Sequence, residues 1–207
     1  MPNIKALSLG GYETNCYIVS GAGSRDCVII DPGYAPETIL ETLADFGLTP
    51  TAIFLTHGHF DHVGAVEALM QRTACRLYIH KADWYLPESA AVKQLYPLAN
   101  SRSISVNFYA HGDILSEAGL EFQVLHTPGH TEGSVCLECE NALFTGDTLF
   151  AGSCGRTDLP GGDSKAMKSA LQYLSSLEKN YEIYPGHGGE TCLDAEKRYN
   201  PYLRGLL

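Results

Sequence analysis

The sequence predicts an α/β (α+β) protein arranged as a four-layered αββα sandwich, in which two β-sheets pack face to face between outer helices. In each of two successive parts of the chain, short β-like segments bounded by glycine, proline and asparagine outnumber the helical segments. Each part then ends with a segment of helical periodicity. A length of 207 residues suits one domain, so we expect a single domain over residues 1–207.

The first part begins with three predicted strands and a helix. The strands cover residues 6–9, 15–20 and 27–31. Pro36 and Gly47 mark the two ends of the helix, because proline favours the first helical turn and glycine the position just past the last one.

A second series of elements completes the first part. Residues 52–55 and 76–79 are predicted strands, and a helix is expected from about Val63. The region 81–103 is expected to be part helix and part loop. Its large aromatic side chains are expected to pack in the core rather than to line a cleft. They are Trp84, Tyr85 and Tyr96.

The second part repeats this organisation. Its predicted strands cover residues 104–109, 120–125, 135–139, 143–145 and 182–184. Asp163 is expected to cap a helix whose apolar stripe runs from Met167 to Leu177. A final helix is predicted over residues 192–199.

The composition argues against several classes of partner. The formal charge of −10, with no cluster of lysine and arginine, argues against nucleic acid. No apolar stretch reaches the length of a membrane span or resembles a signal peptide, so we expect a cytoplasmic protein without a membrane partner. Seven scattered cysteines are expected to be free thiols. Cys136 and Cys139 lie three apart on a predicted strand, so their side chains point to opposite faces.

One short stretch concentrates metal-binding chemistry. Residues 56–62 read Thr-His-Gly-His-Phe-Asp-His and directly follow a predicted buried strand. Neutral imidazole and carboxylate are ligands that zinc and similar metals prefer. The alternative, a polar loop that is rich in histidine by chance, is weak at this density of ligands. The candidate ligands are His57, His59, Asp61 and His62.

Three further candidate ligands stand beside glycines at the ends of predicted strands. They are His130, Asp147 and His187. Tight loops at strand ends are where a rigid scaffold presents functional groups, and a histidine flanked by glycine has little to pack against. The full set of seven exceeds the needs of one tetrahedral zinc and suits two ions that share a carboxylate.

This ordered set of residues resembles that of the metallo-β-lactamase-fold hydrolases, over essentially the whole chain. The resemblance implies the αββα sandwich of that type. It also implies a first metal held by His57, His59 and His130. The second metal would be held by Asp61, His62 and His187, with Asp147 bridging the two ions. Asp61 stands where one antibiotic-hydrolysing subclass carries a cysteine ligand, so the chain does not resemble that subclass.

Two divalent metal ions are therefore the expected cofactors, with zinc first and iron, mixed zinc–iron or manganese as alternatives. Two such ions can lower the pKa of a shared water towards 7 and present hydroxide to an electrophilic carbonyl. Asp61 and Asp147 are the expected catalytic carboxylates. Asp31 is a candidate acceptor for the N–H of a ligand histidine, the alternative being a turn-forming aspartate before Pro32-Gly33.

Residues 145–158 carry a resemblance that concerns the substrate. The run Thr-Gly-Asp-Thr-Leu-Phe-Ala-Gly-Ser-Cys-Gly-Arg-Thr-Asp is similar to that of the short glyoxalase II-like proteins. This implies hydrolysis of a hydroxyacyl-glutathione thioester, with Arg156 helping to hold glutathione. The alternative for Arg156 is a surface arginine paired with Asp158. Full-length glyoxalase II has a C-terminal helical region that supplies much of the glutathione site. The chain ends about twenty residues after His187, so we expect no such extension, and a smaller small-molecule thioester or another ester stays open.

Two other hypotheses compete with the hydrolase. Persulfide dioxygenases share the Gly-Arg-Thr-Asp element and, by resemblance, would use one iron on His57, His130 and Asp147. A non-enzymatic metal-binding scaffold is the third hypothesis, although retention of all seven candidate ligands counts against it. The remaining histidines are expected to make structural hydrogen bonds. They are His80, His111 and His126.

Overall fold

The computed structural model describes residues 1–86 and 89–205. The strands of its first half are β1 (Asn3–Leu9), β2 (Thr14–Ser20), β3 (Asp26–Ile30), β4 (Thr49–Phe54), β5 (Arg76–His80) and β6 (Val106–Tyr109). The helices of this half are α1 (Pro36–Asp45), α2 (Phe60–Val63), α3 (Val66–Arg72), α4 (Lys81–Trp84) and α5 (Ala90–Leu95).

The second half contains more strands than helices. Its strands are β7 (Ile114–Glu117), β8 (Leu120–His126), β9 (Val135–Cys139), β10 (Ala142–Gly146), β11 (Leu149–Phe150), β12 (Ser153–Cys154), β13 (Glu182–Pro185) and β14 (Thr191–Cys192). Its helices are α6 (Ser164–Ser176) and α7 (Leu193–Tyr199).

These strands form two main sheets. The first has the order β1-β2-β3-β4-β5-β6, antiparallel up to β3 and parallel from β3 to β6. The second has the order β14-β13-β10-β9-β8-β7, in which β10 and β13 are parallel and the other pairs antiparallel. Parallel neighbours end at the same edge of a sheet, so the loops after β3, β4, β10 and β13 can meet there.

Three buried apolar layers hold the sandwich together. The central layer joins the inner faces of both sheets, for example Tyr17 and Phe54 to Phe122 and Phe144. The first outer layer packs α1 and α3 on the first sheet, and the second packs α6 and α7 on the second sheet. The predicted four-layered αββα sandwich is therefore confirmed.

The predicted strands and helices are confirmed in kind, with one wrong helix start. The helix expected from about Val63 is two helices, α2 and α3, separated at Gly64-Ala65. At the break, Ala65 N–H donates to the carbonyl oxygen of Pro32 at 2.9 Å, on another loop. Gly64 allows this close approach, because a Cβ there would overlap the carbonyl oxygen of Gly33. The short strands β7, β11, β12 and β14 were not predicted.

Most of the predicted side-chain environments are present in the structure. Trp84 and Tyr96 are buried as expected, whereas the expectation of core packing is wrong for Tyr85, which is 58% exposed. Cys136 packs in the outer layer and Cys139 in the central layer, so they lie on opposite faces of β9. All seven cysteines are free thiols. Within residues 1–86 and 89–205, every helix is too short or too polar to cross a bilayer.

Candidate metal centre

Asp31 fastens the histidine-rich loop to the end of the neighbouring strand. It follows β3 with a positive φ of 50°, and its carboxylate accepts the backbone N–H of Thr56 at 2.7 Å and the Thr56 hydroxyl at 2.6 Å. The same carboxylate accepts the Nδ1–H of His62 at 2.9 Å. This fixes the tautomer of His62 and leaves its Nε2 free to face the other ligand candidates.

Three of the predicted ligands form an all-histidine group. One ring nitrogen from each of His57, His59 and His130 lies within 4.8 Å of the others, and all three side chains are buried. His130 is oriented from behind, because its Nδ1–H donates to the carbonyl oxygen of Arg156 at 2.8 Å. The three rings therefore converge on one point between the sheets' ends.

The second group combines a carboxylate with two histidines. Ligand atoms of Asp61, His62 and His187 also lie within 4.8 Å of one another. His187 Nδ1–H donates to the carbonyl oxygen of Tyr12 at 3.0 Å, which directs its Nε2 towards Asp61 at 3.3 Å. The hydroxyl of Thr14 donates to Asp61 Oδ2 at 3.3 Å.

Asp147 lies between the two groups. Its Oδ1 is 3.3 Å from His62 Nε2, and its Oδ2 is 3.4 Å from His130 Nε2 and 3.6 Å from His187 Nε2. It therefore contacts one member of the all-histidine group and two members of the carboxylate group. All seven predicted ligands are brought together at the ends of the strands.

Buried polar atoms at the centre fit a metal site. His57 Nε2 and His59 Nε2 are buried and have no hydrogen-bond partner among the described residues. Such unpaired groups are costly unless another partner satisfies them. Imidazole nitrogen and carboxylate oxygen are ligands for zinc, iron and manganese. The donor set thus suits divalent metal ions, and its chemistry does not select one of them.

The histidines of the two ligand groups differ in their pKa values, which are lowered in the all-histidine group and raised in the group that contains Asp61. Burial, together with the neighbouring His130 and His62, lowers the pKa of His59 to about 3. Burial likewise holds the pKa of His57 well below its usual range. For His62 and His187, burial also lowers the pKa, but nearby carboxylates, chiefly Asp147 for His62, outweigh it and raise the pKa. The first group therefore offers neutral nitrogen donors. In the second group a metal ion would displace the Nε2 proton of His62 and leave the tautomer whose Nδ1–H is held by Asp31.

Two glycines allow the ligand loops to approach closely. A Cβ at Gly33 would overlap the carbonyl oxygen of Asp61, and a Cβ at Gly155 would overlap that of Asp147. Only a residue without a side chain fits these contacts between backbones. The glycines therefore determine how near Asp61 and Asp147 come to the histidines.

Sequence reasoning missed Asp83, which connects two ligand loops. This buried carboxylate accepts hydrogen bonds from Gly58 N–H at 2.9 Å, the Thr131 hydroxyl at 2.7 Å and Gly133 N–H at 2.7 Å. Burial raises the pKa of Asp83 to about 6, although these three donors act in the opposite direction. Its position on α4, far along the chain from both loops, left no local signal in the sequence.

The predicted substrate residue lies at the rim of a cavity beside the ligands. Arg156 is 62% exposed and forms a bidentate ion pair with Asp158, with both N–O distances at 2.7 Å. The cavity measures about 560 Å³, within the range of small-molecule sites. It is lined by Tyr12, His59, Phe60, Asp61, Leu95, His130, Asp147, Phe150, Cys154, Arg156, Leu159 and His187.

The three other histidines make structural contacts, as expected. His80 and His126 stack with ring centroids 4.3 Å apart. His80 Nδ1 accepts Ala82 N–H at 3.3 Å, and His111 Nδ1 accepts His126 N–H at 3.2 Å. They lie outside both ligand groups.

Comparison with known proteins identifies the family. The model of the metallo-beta-lactamase superfamily matches residues 9–187, and the chain belongs to that superfamily. The hydroxyacylglutathione hydrolase GloC of Haemophilus influenzae is 35% identical, over 97% of this chain and 98% of GloC. The resemblance noted in the sequence is therefore confirmed at the level of the family.

Two solved structures are similar over nearly the whole chain. TTHA1623 in a di-iron-bound form is 40% identical with a TM-score of 0.83, over 96% of this chain and 99% of that one. The B3 metallo-beta-lactamase BLEG-1 is 34% identical with a TM-score of 0.86, over 98% of this chain and 100% of that one. Relatives named for different activities thus share this fold, so the fold does not determine the substrate class.

Proposed function

We propose that the protein is a metal-dependent hydrolase that cleaves a thioester of the hydroxyacyl-glutathione type or a related one. The observation that carries the proposal is the position of Asp147, within 3.6 Å of histidines from both ligand groups. One carboxylate between two groups of different composition suits two metal ions better than one. Similarity to GloC supports the thioester as substrate.

The proposed ligand assignment follows the two groups. His57, His59 and His130 would hold one ion, and Asp61, His62 and His187 would hold the other, with Asp147 available to both. Zinc is the first expectation, and the di-iron form of TTHA1623 supports iron as an alternative. Metal ions bound there supply a water activated at neutral pH.

The chain's own residues would orient the reactants. Asp61 lines the cavity beside the ligand histidines, where its carboxylate can accept a hydrogen bond from the attacking water. Asp31 keeps His62 in one tautomer through its 2.9 Å contact. Arg156 at the rim can exchange Asp158 for a carboxylate of the substrate, because the ion pair is exposed to solvent.

We further propose one domain over residues 1–207 and a cytoplasmic location. The shared central layer, in which residues of both sheets pack together, supports a single domain. The seven free cysteines support a reducing compartment.

The test compares reactions on the same metal-loaded protein. Zinc, iron and manganese are measured per chain, followed by hydrolysis of S-lactoylglutathione, oxygen uptake with glutathione persulfide and hydrolysis of a chromogenic cephalosporin. We expect about two ions and thioester hydrolysis that a chelator abolishes. One iron with oxygen uptake and no hydrolysis would support the dioxygenase instead. A metal-loaded protein without turnover of any of these substrates would support a binding scaffold.

A further inference from the structure

The cavity beside the ligands has an aromatic side. Tyr12 and Phe60 pack edge to face with ring centroids 5.2 Å apart, and Phe150 meets the ring of His187 at 6.0 Å. Tyr12 is 60% exposed, while Phe60 and Phe150 are half-buried and face the cavity. These three rings, which we name the aromatic wall, lie against the group formed by Asp61, His62 and His187.

The only side-chain cation among the described lining residues, other than the histidines, lies beside the other group. The carbonyl oxygen of Arg156 accepts the Nδ1–H of His130, so Arg156 adjoins the all-histidine group. Its guanidinium is already paired with Asp158 at the rim. The aromatic wall contributes no charged group of its own.

This division gives the two ends of a thioester different surroundings. A thioester carbonyl held at the centre would extend one end towards Arg156 and the other towards the aromatic wall. A carrier that bears carboxylates suits the arginine side. The remaining end, the acyl group, meets half-buried rings, which favour apolar groups over hydroxylated ones.

We propose that the aromatic wall is the acyl subsite, and that the preferred substrates are thioesters with an apolar alkyl or aryl acyl group rather than a short hydroxyacyl group. The inference rests on the proposed hydrolase function. Among the thioesters proposed there, it places the related apolar ones above the hydroxyacyl ones. In the reaction, the oxygen of water bonds to the acyl carbon and the C–S bond breaks. The thiol leaves with a proton from the water, and the products are a carboxylic acid and a free thiol.

An acyl series on a constant thiol tests the proposal. The zinc-loaded protein is assayed with the S-acetyl, S-butyryl, S-hexanoyl, S-phenylacetyl and S-lactoyl thioesters of glutathione. We expect kcat/KM to rise at least about tenfold from acetyl to hexanoyl, because each added methylene is partly removed from water when it packs against the aromatic wall. The lactoyl ester should be hydrolysed more slowly than hexanoyl and phenylacetyl. A flat series, or lactoyl as the best substrate, overturns the inference and leaves the proposed hydrolase in place.

Variants locate the effect on the wall. Phe150→Ala should reduce the hexanoyl-to-acetyl ratio by about threefold or more, because it removes one ring of the subsite. Tyr12→Ala, on an exposed turn, provides a second test if Phe150→Ala does not fold. Phe46→Ala is the matched control, since Phe46 is 57% exposed and contacts Lys5 outside the cavity. A ratio that stays unchanged in both wall variants overturns the assignment.

Binding of non-hydrolysable analogues gives a readout independent of turnover. S-hexylglutathione should bind the zinc-loaded protein about tenfold more tightly than S-methylglutathione in calorimetry, with a negative heat-capacity change from apolar burial. Equal affinities of the two thioethers overturn the inference. Failure to hydrolyse any thioester overturns the proposed function, and the inference with it.

Discussion

The two halves of the chain hold their metal-ligand candidates in different ways. In the first half, four candidates lie within residues 57–62, and buried carboxylates hold their loop: Asp31 binds Thr56 and His62, and Asp83 binds Gly58. In the second half, His130, Asp147 and His187 come from three separate loops. Backbone carbonyls orient the histidines there, from Arg156 for His130 and Tyr12 for His187.

The difference shows which part of the site is specified locally. The first half depends on side chains whose exchange removes a hydrogen-bond acceptor. In the second half, backbone carbonyl oxygens orient the histidines, so the path of the backbone matters more there. A glycine allows close approach in both halves, Gly33 beside Asp61 and Gly155 beside Asp147. Substitutions in the two halves should therefore impair the site for different physical reasons. Metal content, metal affinity and the free energy of unfolding distinguish these reasons.

The largest effect is expected for Asp147→Ala, which removes the contact between the two groups. Metal content should fall below two ions per chain, and kcat/KM for a thioester should fall by more than about 100-fold, beyond the range typical of residues that only support a ligand. Metal analysis and kinetics on the same preparation measure both quantities. Asp45→Ala, at the exposed end of α1, is the control and should keep full metal content. Normal turnover with full metal content in Asp147→Ala would show that the assignment is wrong.

The next largest effect is expected for the buried carboxylate of Asp83, which joins the loop of the first half to the loop of His130. Asp83→Asn leaves at least one of its three donors without an acceptor, because an amide presents a single oxygen. We expect metal affinity to weaken by about 10–100-fold, with the folded structure retained. Zinc titration against a competing chelator measures the affinity, and circular dichroism checks the fold.

Asp113→Asn is the matched control for Asp83. Asp113 also accepts a backbone N–H, from Ala110 at 2.8 Å, but it is exposed and holds its own turn instead of a ligand loop. Its variant should bind zinc as the wild type does. Equal affinities in all three proteins would mean that Asp83 has no part in positioning the ligands.

Gly155→Ala tests the dependence of the second half on the backbone. The added methyl group would overlap the carbonyl oxygen of Asp147, so we expect the free energy of unfolding to fall by about 1–3 kcal/mol, as in other overpacked sites. Gly11→Ala is the control, since a Cβ added there would meet no atom of the described residues within 4 Å and its φ is not positive. Urea unfolding of the two variants measures the difference. If Gly155→Ala and Gly11→Ala are equally stable, the close approach of Gly155 to Asp147 is not needed for the fold.

The smallest expected effect is on the pH dependence of stability, and it comes from His80, a partly buried histidine outside both ligand groups. Burial, followed by the nearby His126, lowers the pKa of His80 from 6.5 to about 4. A lowered pKa in the folded state gives stability that is present above about pH 6.5 and is lost as the pH falls towards 4. His80→Asn keeps a polar acceptor at the start of α4 but does not titrate.

Metal-free wild type and His80→Asn should therefore differ in pH dependence. Between pH 7 and pH 4, the free energy of unfolding of the wild type should fall by about 1 kcal/mol relative to that of the variant. This value is reduced because the ring is partly exposed to solvent. Urea unfolding at several pH values measures it. A difference between the two proteins that does not change with pH would contradict the assigned burial effect.

The sequence predicted those features that neighbouring residues encode. The His57–His62 stretch is contiguous, and the αββα layers follow from strand and helix periodicity. The break between α2 and α3 was missed because it arises from contact with Pro32 and Gly33, on another loop. Asp83 was missed for the same reason, since its partners are 25 to 50 residues away in the chain. The pairing of Arg156 with Asp158 was a stated alternative, because the two residues are close in sequence.

The number of metal ions per chain tests the central claim most directly. Metal-free protein is titrated with zinc and examined by native mass spectrometry, together with His57→Ala and His187→Ala, each of which alters one ligand group. We predict two tightly bound ions in the wild type and one in each variant. A single ion in the wild type, or loss of binding in only one of the two variants, would contradict a site built from two groups joined by Asp147.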